Sequence, residues 1–150
     1  MEIRQARSQD AAPITALLAE LGYPLTPLQV REKLLAMADV ALDTVLVAGT
    51  TEPVNGESIL LGCISLHALP MFHQPGRLGR ITALVVTEQA RGRGVGSALL
   101  DAAHAWFESH GCDRAEVTSG DQRHAAHRFY ESHGYARESQ RFVRKAARSI

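Results

Sequence analysis

Several broad protein classes are excluded by what this 150-residue sequence lacks. It has no run of about 18 consecutive apolar residues, so no segment is predicted to span a bilayer. It has no excess of either charge, because 16 Lys and Arg balance 16 Asp and Glu; we therefore expect neither nucleic acid nor a membrane surface as a partner. Its only two cysteines, Cys63 and Cys112, are too few for a disulfide scaffold and are predicted to be free thiols.

The sequence also shows no sign of a domain boundary or of a targeting segment. Residues 1–4 lead directly into a strand-like pattern without an apolar signal-peptide core, and together with the free thiols this predicts a cytoplasmic protein. There is no internal repeat, linker or low-complexity segment. With 45% hydrophobic and 21% charged residues, a chain of this length can bury one core. We predict a single domain spanning residues 1–150.

The most informative stretch of the sequence is Ile81–Leu100. Its first part, Ile81–Val86, is a short apolar run rich in β-branched residues, which predicts a buried strand. A polar turn follows, and the glycine-rich segment Arg91–Gly96 then leads into Ser97–Leu100, where a helix is predicted to begin. The predicted order is therefore strand, glycine-rich turn and helix.

This order predicts an anion-binding site. Glycine allows a tight turn and close approach of the backbone to a ligand, and the first helical turn presents N–H groups that commonly bind phosphate. Arg91 and Arg93 add positive charge. The alternative is a turn that needs glycine only for its backbone. Neither named phosphate motif fits, because Gly-x-x-x-x-Gly-Lys-Ser/Thr does not occur and Gly-x-Gly-x-x-Gly would need glycine in place of Ser97.

Two motifs resemble those of the GNAT N-acetyltransferase superfamily. Val86, followed after four residues by Arg91–Gly96, is similar to that superfamily's acetyl-CoA signature, Arg/Gln-x-x-Gly-x-Gly/Ala. The segment Ala126–Tyr135, AHRFYESHGY, is similar to its later motif, Ala-x-x-Phe-Tyr-x-x-x-Gly-Phe/Tyr. The two motifs lie about 30 residues apart and in the family's order. With the matching order of elements, the resemblance covers nearly the whole chain.

The resemblance implies that acetyl-CoA is the co-substrate and that its acetyl group passes directly to a primary amine of a small molecule or a protein. It assigns the pantetheine arm to the central strand and, in agreement with the anion argument, the pyrophosphate to the glycine turn. The strand backbone would polarise the thioester carbonyl. Tyr130 is implied as the acid that protonates the departing thiolate. The predicted cofactor-binding residues are Leu84, Val85, Val86, Arg91, Gly92, Arg93, Gly94, Val95, Gly96, Ser97, Ala126 and Phe129.

The group that deprotonates the amine is not identified by either motif. Related enzymes often carry a glutamate nine or eleven residues before the motif arginine, where this chain has Thr82 and Arg80. Neither side chain can take up a proton near neutral pH. The sequence therefore predicts a route through water. The alternative bases are Glu116, which lies on the next predicted strand, then Glu88, His124 and His127.

Three further expectations concern ligands and assembly. Arg123 replaces an asparagine that is common in the family, and a phosphate contact, an acceptor carboxylate contact and a solvated side chain are equal interpretations of it. No metal site is predicted, because the His124 and His127 pair has no third ligand at an obvious spacing. The sequence leaves open whether the chain forms a homodimer. The alternative functions are a non-catalytic acetyl-CoA-binding regulatory domain and a nucleotide-binding oxidoreductase.

The pattern of elements predicts an α+β fold in the order β-α-α-β-β-β-α-β-α-β. A central mixed, mostly antiparallel sheet would carry helices on both faces, and the resemblance implies the same GNAT-like fold, with its fourth and fifth strands splayed to admit the cofactor. Asp10 and a capping box at Thr26 are predicted to start the first two helices. Strands are predicted at 2–6, 44–49, 59–66, 81–86, 115–118 and 140–144, helices at about 10–22, 26–38, 94–110 and 122–133, and loops at 50–57 and 69–79.

Overall fold

A computed structural model describes residues 1–51, 59–118, 124–138 and 141–147. The chain comprises two compact units, residues 1–118 and 119–150, so the single domain remains a prediction. None of the helices described is both long and apolar enough to cross a membrane. The first unit contains β1 (Glu2–Gln5), α1 (Ala11–Leu21), α2 (Pro27–Ala38), β2 (Asp43–Gly49), β3 (Leu60–Pro70), β4 (Arg77–Val86), α3 (Val95–Ser109) and β5 (Cys112–Val117), and the second contains α4 (His124–Ser132).

The sheet has the strand order β1-β2-β3-β4-β5. β4 and β5 pair in parallel, and the other neighbouring strands pair antiparallel. This confirms the predicted mixed, mostly antiparallel sheet. α3 connects β4 to β5, as a parallel pair requires a long crossover connection.

Helices cover both faces of the sheet. On one face, α1 and α2 bury Ile14, Leu17 and Val30 in a cluster with Val47 of β2 and Val85 of β4. Side chains alternate along a strand, so the residues directly before and after Val47 and Val85 face the opposite side of the sheet, where α3 lies. Burying this apolar area on both sides is the main favourable term in the stability of the unit.

α3 packs closely on the opposite face because two strand glycines leave room for it. A Cβ atom at Gly79 of β4 would lie 2.6 Å from the ring of Phe107, and one at Gly62 of β3 would lie 3.1 Å from Leu99. Phe107 and Leu99 are 3% and 0% exposed. This close packing sets where α3 begins, and therefore where the glycine turn lies relative to the end of β4.

Local sequence signals account for most helix ends, with one exception. Thr26 and Gln29 form the predicted capping box, with reciprocal hydrogen bonds of 2.9 and 3.2 Å. The prediction for Asp10 is wrong, since its side chain makes no cap hydrogen bond to α1. Its carboxylate instead accepts hydrogen bonds from the Arg4 guanidinium at 2.8 and 2.9 Å and from the Arg7 N–H at 2.7 Å. Asp10 therefore joins α1 to β1 rather than capping the helix.

This ion pair predicts a pH-dependent contribution to stability. Burial disfavours ionisation of Asp10, but the hydrogen bonds from Arg4 and Arg7 outweigh it and lower the pKa of the carboxyl. We expect Asp10→Asn to reduce the free energy of unfolding by about 1–3 kcal/mol at pH 7. Because the folded-state pKa is lowered, the wild-type advantage is complete well above pH ~4 and declines as pH falls through that lowered value. Urea unfolding at several pH values measures the difference.

The control for this prediction is Asp101→Asn, which removes an exposed carboxylate of α3. That change should have little effect at any pH, since exposed charges contribute little to stability. Equal and pH-independent effects of the two substitutions would contradict the assigned role of Asp10.

Two predicted segments differ from the structure. The predicted loop at 69–79 is too long and spans only residues 71–76, because β3 continues to Pro70 and β4 already begins at Arg77, with the pair Pro70–Arg77 closing the ladder. The predicted strand at 140–144 is also wrong for residues 141–144, which belong to neither helix nor strand, while residue 140 lies outside the described residues. Proline and glycine favoured a loop at 69–79, but cross-strand pairing extends both strands, and Pro70 is tolerated because it ends its strand.

Candidate functional site

The turn between β4 and α3 has the backbone that the glycine pattern predicted. A 3-10 turn, Glu88–Ala90, follows β4, and Gly92 and Gly94 then adopt left-handed φ angles of 79° and 80°. A Cβ atom at either glycine would have no atom within 4 Å. These glycines are therefore required by their backbone conformation and not by packing, and the space beside them is open.

The start of α3 is directed into this open space. Its first intrahelical hydrogen bond runs from the Ala98 N–H to the Gly94 carbonyl, at 3.0 Å, so the N–H groups of Val95 and Gly96 precede the helical ladder. No side chain caps this end of the helix. Arg91 and Arg93 are exposed beside it. N–H groups outside the helical ladder, the positive end of the helix dipole and two guanidinium groups together suit an anion.

Hydrogen bonds from two other elements hold the turn in place. Glu20 of α1 accepts from the Thr87 hydroxyl at 2.9 Å and from the Glu88 N–H at 3.0 Å, and these bonds lower the pKa of Glu20. The Arg91 Nε–H donates to the Val86 carbonyl at 3.3 Å. The glycine turn is therefore anchored to both α1 and the end of β4.

β4 extends beyond its last pair with β5. The parallel ladder with β5 ends at the pair Ile81–Val117, whereas β4 continues to Val86. Among the residues that the structure describes, no strand pairs with this half of β4 on the β5 side. The ladder stops there because β5 itself ends at Val117, and the splaying of the two strands that the resemblance implied stays a prediction. The predicted cofactor residues Leu84 and Val86 are half-buried on this segment, and Val85 belongs to the core under α1 and α2.

The predicted alternative bases lie in different surroundings. Glu116 of β5 is bound by Arg80, the residue directly opposite it on β4, whose Nε–H donates at 2.7 Å. Glu88 lies in the anchored turn. His124 and His127 lie on α4, where their ring centroids are 5.8 Å apart and an Arg137 N–H donates to His127 Nδ1 at 3.0 Å.

The sequence interpretation missed a polar cluster on β2, β3 and β4. His67 of β3 hydrogen-bonds to Asp43 of β2 at 2.8 Å and to Thr82 of β4 at 2.9 Å, and Thr82 is 2.6 Å from Ser65. The available signal was the alternation after Cys63, in which Ser65 and His67 interrupt an apolar run at every second position. Such a period of two predicts one polar face of a longer strand.

The later motif forms α4 of the second unit. Tyr130 is half-buried, and its ring lies 5.4 Å from Phe129 and 5.8 Å from Tyr135, measured between centroids. Burial, with a smaller contribution from Tyr130, raises the pKa of Tyr135 to about 12. Ala126 lies half-buried in the same helix. Arg123 lies outside the described residues.

No group of three or more His, Cys, Asp or Glu side chains suited to a metal ion occurs within the described ranges. Cys63 and Cys112 are free thiols, as predicted. Burial raises the pKa of the Cys63 thiol to about 12, which keeps it protonated and unreactive.

Comparisons with known proteins agree with this geometry. The profile of the Acetyltransferase (GNAT) family matches residues 22–135, which include both motifs. No curated protein matches the chain. An acetyltransferase from Trypanosoma brucei has a similar structure, with 24% identity, a TM-score of 0.78 and coverage of 97% of this chain and 99% of that one.

Two other solved structures share the fold and carry more specific names. Glucosamine-6-phosphate N-acetyltransferase from Arabidopsis thaliana is 19% identical, with a TM-score of 0.78 and coverage of 96% of this chain and 97% of its own. Ribosomal-protein-alanine N-acetyltransferase from Brucella melitensis biovar Abortus 2308 is also 19% identical, with a TM-score of 0.75 and coverage of 97% and 98%. At this identity the likeness establishes the fold alone.

Proposed function

The chain belongs to the Acetyltransferase (GNAT) family, and from this premise we propose that it transfers the acetyl group of acetyl-CoA to a primary amine in the cytoplasm. The observation that carries the proposal is the start of α3, which no described side chain caps, with Gly92 and Gly94 in left-handed conformations, next to the part of β4 that extends beyond its last pair with β5. Members of a family share such a site through the same types of residue at the same motif positions, and this chain has those residue types at Arg91–Gly96.

The geometry supports a division of the cofactor into two parts. The N–H groups of Val95 and Gly96, with Arg91 and Arg93 beside them, would bind the pyrophosphate through charge-assisted hydrogen bonds. The edge of β4 from Leu84 to Val86 that faces away from β3 would pair with the amide groups of the pantetheine arm. This arrangement would direct the thioester along β4 toward the end of its ladder with β5 at Ile81 and Val117.

The chemistry at that point needs an electrophile, a neutral amine and a proton for the leaving thiolate. Backbone groups of β4 would polarise the thioester carbonyl. The amine nitrogen forms a bond to the carbonyl carbon as the carbon–sulfur bond breaks. By its place in the later motif, Tyr130 is the proposed proton donor to sulfur, since a phenol with a pKa near ~10 can protonate a developing thiolate.

A panel of amines tests the proposal directly. We expect free coenzyme A to appear faster than in an amine-free control with at least one acceptor, and mass spectrometry of that acceptor should show one added acetyl group. The panel should include glucosamine 6-phosphate and a peptide with an N-terminal alanine, because two proteins of the same fold carry names that specify those acceptors. Release of free thiol at one slow rate with every amine would instead favour a non-catalytic acetyl-CoA-binding domain.

A further inference from the structure

A continuous chain of four hydrogen-bonded side chains crosses one face of the sheet. Asp43 Oδ1 is 2.8 Å from His67 Nδ1, His67 Nε2 is 2.9 Å from Thr82 Oγ1, and Thr82 Oγ1 is 2.6 Å from Ser65 Oγ. The His67 and Asp43 side chains are 26% and 28% exposed, Ser65 is half-buried and Thr82 is exposed. A largely covered imidazole is thus connected to the surface through hydroxyl groups.

The chemistry of the four groups determines the direction of each hydrogen bond. An ionised carboxylate only accepts, so we assign the Nδ1–H of His67 as the donor to Asp43. In a neutral imidazole Nε2 then accepts, so the Thr82 hydroxyl donates to Nε2 and accepts from the Ser65 hydroxyl. The oxygen of Ser65 is left as the outer acceptor of the chain.

Protonation of His67 reverses this order without breaking the chain. In the imidazolium, Nε2–H donates to Thr82, and the Thr82 hydroxyl donates to Ser65. The two states differ by the orientation of two hydroxyl groups and by one proton that has moved from the outer end to His67. This is the arrangement that a proton relay requires.

Thr82 connects the relay to the part of β4 along which the thioester is proposed to lie. The register between β3 and β4 shifts after the pair Ser65–Ala83, which leaves Thr82 as an extra residue in β4. Thr82 also directly follows the last residue of β4 that pairs with β5. Bulges of this kind often re-aim a side chain beside an active site. Thr82 therefore lies at the end of the β4–β5 ladder, with Ser65 beside it on β3.

We propose that His67 is the base that deprotonates the acceptor amine, acting through Thr82 and Ser65; this inference rests on the acetyl transfer proposed above. The ammonium gives a proton to Ser65 Oγ, Ser65 gives its proton to Thr82 Oγ1, and Thr82 gives its proton to His67 Nε2. The products are a neutral amine and an imidazolium hydrogen-bonded to Asp43. After the amine attacks the thioester it loses a second proton and the thiolate gains one, so an amide and a free thiol result, and His67 returns its proton to solvent.

The charged groups around His67 favour this role. Asp43 on β2 and Arg80 on β4 are the residues directly opposite His67 in the two ladders, and Glu116 on β5 binds Arg80. The opposite charges of Arg80 and Glu116 offset each other. Asp43 is the charged group that contacts the imidazole directly. A carboxylate in that position orients the ring and sets which nitrogen carries the proton.

Substitutions at Thr82 and His67 test the relay in the full-length protein. Thr82→Val removes the hydroxyl at nearly constant shape, and His67→Gln removes the base. With the best amine of the panel we expect each to lower kcat/KM for the amine at least about tenfold at neutral pH and to diminish the acidic limb of its pH profile. The dissociation constant of acetyl-CoA should not change. Thr82→Ser should restore both rate and profile, and His73→Gln, an exposed histidine at the β3–β4 turn, is the matched control.

The outcomes separate the relay from the acetyl transfer itself. If wild-type protein acetylates an amine and Thr82→Val keeps both its rate and its acidic limb, the relay is wrong and the transfer stands. The relay is equally wrong if Thr82→Ser is as impaired as Thr82→Val, because the hydroxyl would then have no role. If wild-type protein acetylates no amine, the proposed function fails and the relay with it. The Thr82 pair decides the question even if His67→Gln does not fold.

Discussion

Replacement of Tyr130 by phenylalanine is expected to lower kcat by about 10² or more while leaving the affinity for acetyl-CoA unchanged. The substitution keeps the ring, which lies 5.4 Å from Phe129 and 5.8 Å from Tyr135, and removes only the hydroxyl. Without a proton donor, the carbon–sulfur bond must break to an unprotonated thiolate, which raises the barrier of the chemical step. Steady-state kinetics with the best acceptor, together with calorimetric titration of acetyl-CoA, measure the two quantities.

Tyr135→Phe is the matched control for this prediction. The later family motif accepts either phenylalanine or tyrosine at that position, and a phenol whose pKa is raised to about 12 by burial is a weaker acid than an ordinary tyrosine. We expect its kcat to stay near that of wild type. Wild-type turnover in Tyr130→Phe would reduce Tyr130 to a packing role. Equal losses in both variants would point to damage of α4 rather than to lost proton transfer.

The features that could be predicted from sequence are those determined by residues close together in the chain. The left-handed conformations of Gly92 and Gly94, the helix that follows them and the capping box at Thr26 are all decided within a few residues. Glycine is the residue that adopts positive φ angles at low cost, and a threonine hydroxyl can reach the N–H group three residues later. Such preferences can be read without knowing which strands pair.

The parts that could not be predicted depend on register between strands. His67 meets Asp43 and Thr82 because three strands pair in one alignment, and Thr82 reaches His67 through an extra residue in β4. A one-residue change in register would turn these side chains to the other face. Likewise, Asp10 was predicted to cap α1, and the tertiary contact with Arg4 determined its actual role.

Replacement of Gly94 by valine is expected to weaken acetyl-CoA binding by about 10²-fold. Gly94 has a φ angle of 80° and open space beside its Cα atom, so a valine side chain would enter the region assigned to the pyrophosphate and strain the backbone that directs the N–H groups of Val95 and Gly96. Two charge-assisted hydrogen bonds of about 1.5–3 kcal/mol each account for a loss of this size. Calorimetric titration of acetyl-CoA measures it.

Gly111→Val at the other end of α3 separates lost binding from backbone strain. Gly111 has a similar φ angle of 72°, and its added Cβ atom would meet only Arg77 Nη1, at 3.8 Å. Both variants should lose about 1–3 kcal/mol of stability from strain. The 15-residue helix α3, about 22 Å long, lies between the two glycines, so only Gly94→Val should lose affinity. Wild-type affinity in folded Gly94→Val, or an equal loss in both variants, would mean that the pyrophosphate does not bind at the glycine turn.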